Sequence, residues 1–257
     1  MRDPNRSWTR NPWWHDDFGG APRWFLIAVI AVIVIGAPVT IVLGSRSAPP
    51  SKAGAEGASL AVAPRPVIAV IGDSFTSGPL DGASTDATWP ELLATSVDAD
   101  FQVLATDGSG YVTYNPKASR DTFSTHAGEV RKDADLVVFF GSRSDVNQGT
   151  NVFDAALIAL AVAARQVPDA QVLVVGPAWA DIAPPIKILE DRDALSRAAE
   201  EASVRFVDPI AEGWLVDGEA LTTDDGLYAT EEGQKYIATK MSALIASALD
   251  DIGLSTG

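Results

Sequence analysis

The chain contains no cysteine, which excludes disulfides, thiolate metal sites and a cysteine nucleophile. Histidine is nearly as scarce: His15 and His126 are the only two in 257 residues. Any chemistry that needs an imidazole base therefore has few residues to draw on. Basic side chains are outnumbered, with 19 Lys and Arg against 34 Asp and Glu. The shortage is uneven. Residues 1–65 hold seven basic and four acidic side chains, so the formal charge of −15 leaves −18 on residues 66–257. A domain this acidic repels phosphate backbones, which argues against a nucleic-acid partner. No segment of the chain repeats another.

One long apolar run is present. "WFLIAVIAVIVIGAPVTIVLGS" carries no charge from Trp24 to Ser45. About twenty helical residues cover roughly 30 Å, the thickness of a bilayer's hydrocarbon core. Gly36 and Pro38 weaken a soluble helix but are tolerated in lipid. The expectation is a retained membrane helix over residues 24–43. Arg2, Arg6, Arg10 and Arg23 precede it, which places residues 1–23 in the cytoplasm as a tail and the rest outside. Trp13, Trp14 and Trp24 suit an interfacial belt. Residues 44–65, rich in Ala, Pro, Gly and Ser, read as a flexible tether.

From residue 66 to 252, apolar stretches of strand length alternate with amphipathic stretches of helix length. The strands expected are 67–71, 101–105, 135–140, 170–175 and 204–208. Tyr236, Ile237, Met241, Leu244, Ile245 and Leu249 recur near helical period in the last helix. Continuous apolar strands between helices predict an α/β fold: a three-layer α/β/α sandwich around a five-stranded parallel sheet, preceded by one transmembrane helix. In such sheets ligands sit beyond the carboxyl ends of the strands. The residues there are Gly72-Asp73-Ser74, Asp107-Gly108-Ser109-Gly110, Gly141-Ser142-Arg143-Ser144-Asp145, Gly176-Pro177-Ala178-Trp179, and a last loop containing Asp224-Asp225.

In this order the loops resemble the GDSL/SGNH hydrolases, serine esterases on a flavodoxin-like α/β sheet. "IGDSFTSG" is similar to the family's nucleophile block, which implies Ser74 as nucleophile and its N–H as an oxyanion-hole donor. "ATDGSGYVT" is similar to the second block and implies a donor N–H on Gly110, with Gly108 as the other register. "VVFFGSRSDV" resembles the third block and "DDGLYATEEGQKYIA" the fifth, normally Asp-x-x-His. The family needs no metal or organic cofactor and hydrolyses acyl or acetyl esters of glycans, lipids or small molecules. Asp73, Arg143, Asp145 and Trp179 are candidate pocket residues.

Two positions depart from the family pattern. Ser144 stands where the third block has the asparagine that completes the oxyanion hole; losing such a donor costs about 10²–10³ in rate. With Asp225 as the family aspartate, Tyr228 occupies the histidine position. A serine hydroxyl needs a base within hydrogen-bond reach. A phenol, with a pKa of about 10, is roughly 4 kcal/mol from its basic form at neutral pH. His126 is expected on a helix between the second and third strands, Asp225 is a weak base, and no Lys or Arg lies within the last loop, which leaves Arg143 of the third block as a candidate cation for activating Tyr228. Two readings follow. In the first, the protein keeps the fold and an ester-sized cleft, is catalytically impaired, and binds an envelope ligand or a partner protein. In the second, it is an active esterase with a non-standard base.

Overall fold

The structure, a computed structural model, describes residues 65–80, 87–141, 143–148, 151–216 and 220–254, together with strand backbone at 17–18 and 21–22. Asp17–Phe18 pairs antiparallel with Ala21–Pro22. The expected membrane helix, residues 24–43, and the tether up to residue 64 lie outside the described residues. Among the described residues, no helix is long and apolar enough to cross a membrane.

The five expected strands all form: β1 (Val67–Gly72), β2 (Asp100–Ala105), β3 (Leu136–Phe140), β4 (Gln171–Val175) and β5 (Arg205–Val207). They make one parallel sheet in the order β2-β1-β3-β4-β5. This is the flavodoxin-like order, which reverses direction beside β1. Central strands β1 and β3 are buried throughout, whereas edge strand β2 is only partly covered. That is why the first two read as unbroken apolar runs.

Alternate side chains divide the core into two. Ile68, Val70, Val138 and Phe140 face one side and pack with Trp89 and Leu93 of α2 (Trp89–Ser96) and with Ile237, Met241 and Ile245 of α6 (Glu231–Asp250). Ala69, Ile71, Val137 and Phe139 face the other. They meet Phe123 of α3 (Phe123–Gly128), Val152 and Ala159 of α4 (Asn151–Gln166), and Leu195 of α5 (Ile186–Glu201). Helix α3 is shorter than the amphipathic stretch 120–133 suggests, because the chain leaves the helix at Glu129. Helix α2 starts on a capping box between Thr88 and Glu91. Buried Gln234 ties α6 to the site: its Oε1 accepts from Trp89 N–H at 2.8 Å, and its Nε2 donates to Phe75 O at 3.2 Å.

Candidate active site

Ser74 opens a four-residue helix, α1 (Ser74–Ser77), directly after β1. Asp73 caps it: its Oδ1 accepts the Phe75 N–H at 3.0 Å. Its Oδ2 accepts the Arg143 N–H at 3.3 Å, pinning the first loop to the third. Asp73 is wholly buried. That burial pushes its pKa up to about 6, against the pull of the two N–H donors and the Arg143 charge. It is thus a structural tie within the site and not part of an open pocket wall.

The last loop approaches from the other side. A bridge between Thr222 and Ala229 closes it, and Gly226, at φ +64, turns the chain within it. Asp225 Oδ1 accepts from the Thr223 hydroxyl at 2.6 Å and from the Leu227 N–H at 2.9 Å. These donors, in that order, hold its carboxyl below the usual range, with a smaller contribution from the Arg143 charge. The turn aims the Leu227 carbonyl at Ser74, whose Oγ donates to it at 3.1 Å. The Tyr228 hydroxyl donates to Asp107 Oδ2 at 3.1 Å. Ser74 retains 6% of its surface.

His126 makes no hydrogen bond to Ser74 among the described residues. It is buried on α3, with Nε2 3.2 Å from the Thr106 hydroxyl and Nδ1 3.4 Å from Glu129 Oε2. Both ring nitrogens are engaged away from Ser74.

The donor side is partly assembled. The Ser74 N–H has no hydrogen-bond partner among the described residues. The Gly110 N–H does have one, donating to Thr113 O at 2.8 Å, so in this arrangement it is not open to an oxyanion. Gly108, the other register, keeps an N–H without a partner among the described residues. Ser144 is half-buried, and its carbonyl receives the Thr113 hydroxyl at 3.1 Å. Asp145 is not in the wall of the cleft that Arg143 and Trp179 line. It is fully buried and accepts three backbone N–H groups, from Tyr111 at 2.7 Å, Val112 at 3.1 Å and Thr113 at 2.8 Å.

Arg143 and Trp179 do line a cleft, of about 740 Å³, with Asp181, Ile182, Val216 and residues 222–226; Ser74 is not part of its wall. The Arg143 guanidinium lies 4.8 Å from the Trp179 ring centre and 5.9 Å from that of Phe75. Trp214, in contrast, is a core residue whose Nε1 donates to Glu212 at 2.9 Å.

All five loops therefore meet at one rim, through the pairs Ser74–Leu227, Asp73–Arg143, Asp145–Tyr111, Tyr228–Asp107 and Arg143–Trp179. The model of the GDSL-like lipase/acylhydrolase family matches residues 70–236, which span these loops. The chain belongs to the GDSL-like lipase/acylhydrolase family. A curated protein named GDSL lipase Rv0518, from Mycobacterium tuberculosis, is 37% identical over 194 residues, covering 71% of this chain and 82% of its own. Among solved structures, the M. smegmatis aryl esterase superposes with a TM-score of 0.53 at 23% identity, covering 72% of this chain and 100% of that one. A family-two carbohydrate esterase from Corynascus thermopiles, carrying a carbohydrate-binding domain, gives 0.56 at 20% identity, with 73% and 67% covered. These two show the shared fold.

Within this GDSL-like frame, two partners leave no mark in the sequence. Asp107 lay on the expected rim, but nothing in its neighbourhood pointed to Tyr228, 121 residues away. Leu227 acts through its main-chain carbonyl, which every residue possesses, so no side-chain pattern could have marked it.

Proposed function

We propose that this GDSL-like protein is anchored in the membrane by residues 24–43, with its N-terminus cytoplasmic and its α/β domain outside. We further propose that it is catalytically impaired and acts as a binding module for an acylated glycan, a lipid or a small ester of the cell envelope. The observation that carries the impaired reading is the Ser74–Leu227 hydrogen bond. A peptide carbonyl accepts a hydrogen bond but is far too weak a base to take the proton that nucleophilic attack releases. The phenol of Tyr228 supports the same reading, since it donates to Asp107.

The test uses the full-length protein with a fluorophosphonate probe and a short-chain aryl ester, alongside Ser74→Ala and Tyr228→His. The unmodified protein is expected to show no turnover above Ser74→Ala. Ser74-dependent turnover in the unmodified protein overturns the impaired reading. It would favour the second one, an active esterase with a non-standard base, which the 37% identity to a protein named as a lipase supports.

A further inference from the structure

We infer that the cleft beside Ser74 recognises its ligand through a single anionic group, a carboxylate or phosphate gripped by the guanidinium of Arg143. This rests on the reading of the cleft as a ligand site, and not on whether catalysis is lost.

Arg143 is half-buried, yet its guanidinium makes no ion pair and no side-chain hydrogen bond among the described residues. Buried charges are ordinarily paired, because desolvation without compensation is costly. The two carboxylates near enough to influence Arg143 are those of Asp73 and Asp225. Asp73 directs both oxygens at backbone N–H groups. Asp225 Oδ1 accepts from Thr223 and Leu227. What holds the guanidinium is packing, over the Trp179 and Phe75 rings. A stacked guanidinium with uncommitted donors is preorganised for a planar or tetrahedral oxyanion. The Trp179 ring lines the cleft with its face, while its Nε1 is buried and has no hydrogen-bond partner among the described residues.

The rest of the wall limits the ligand. Ile182, 87% exposed, offers apolar surface to a short chain. Asp181, Asp224 and Asp225, all exposed on the wall, repel negative charge that does not reach Arg143 directly, so a polyanion is excluded.

The experiment titrates full-length protein with hexanoate, hexyl phosphate and hexanol at matched ionic strength, following heat of binding. Saturable binding is expected for hexanoate or hexyl phosphate, and whichever binds more tightly identifies the anion. Binding of hexanol is expected to be at least about tenfold weaker, and Arg143→Gln should cost the anion a similar factor. Arg143→Lys keeps the charge without the fork and is expected to fall between wild type and Arg143→Gln. It also decides the matter should the Gln variant fail to fold. Equal affinity for hexanol and the anions, no saturable binding of either anion, or wild-type affinity in Arg143→Lys each overturn the inference. None of these outcomes depends on ester turnover, so this inference and the impaired reading fail separately.

Discussion

Ser74 donates its hydroxyl proton to the carbonyl of Leu227, 153 residues away, at 3.1 Å. The hydroxyl is thereby closed over by the loop that would be expected to carry its base, and it serves as a bolt between the first and last loops of the rim. Substituting Ser74→Ala removes one neutral hydrogen bond, worth roughly 0.5–1.5 kcal/mol. For a domain of this size, the melting temperature is expected to fall by about 1–6 °C. A rise on calorimetry would mean that Ser74 is strained for chemistry instead of bonded for structure.

Asp145 organises the second loop. Its two oxygens accept three consecutive backbone N–H groups of residues 111–113 in a site closed to water. Asp145→Ala leaves all three donors to find new partners. The expected loss is about 3 kcal/mol or more, read as a urea midpoint shift at constant slope. A loss under about 1 kcal/mol would show that the loop holds itself.

Gly141 lies against the turn that carries Asp73 and Ser74. It has φ +119, and a Cβ there would stand 2.7 Å from Asp73 Oδ2. Gly141→Ala therefore combines backbone strain with a push on a buried carboxylate. A destabilisation of about 1–3 kcal/mol is expected from the strain alone, and more with the clash. An unchanged melting curve would contradict the packing described for Asp73.

Asp191 on α5 supplies a pH prediction. Its side chain is 1% exposed, Oδ2 has no partner among the described residues, and burial, reinforced by Asp145 and Glu190, pushes its pKa up to about 7 from 3.8. The folded state therefore disfavours the charged form. This group does not oppose folding below about pH 4, and its penalty grows as pH rises toward 7. Asp191→Asn should raise the melting temperature by at least about 2 °C at pH 8, with the gain vanishing near pH 4. A gain independent of pH would sink this assignment.

Much of this protein was legible before its fold was seen. Apolar runs such as "VIAVI" and "DLVVFF" predicted strands buried on both faces, and β1 and β3 are buried so. Gly72-Asp73-Ser74 after the first strand marked a turn on the rim, and Ser74 stands there. The short helix there was not anticipated, although an aspartate before Ser74 is an N-cap signal. The sequence places His126 on a helix, but nothing in it points to its partners Thr106 and Glu129.

Local sequence thus determined the strands, the helices, the order of the rim loops and the residues that stand in them, because periodicity and turn chemistry act between near neighbours. Only the tertiary structure decided what each rim residue touches: Leu227 for Ser74, Asp107 for Tyr228, the 111–113 amides for Asp145, and two aromatic rings for Arg143. Those choices join segments 32 to 153 residues apart. They depend on ångström-scale loop geometry and on main-chain atoms common to every residue, neither of which leaves a pattern in a string of side chains.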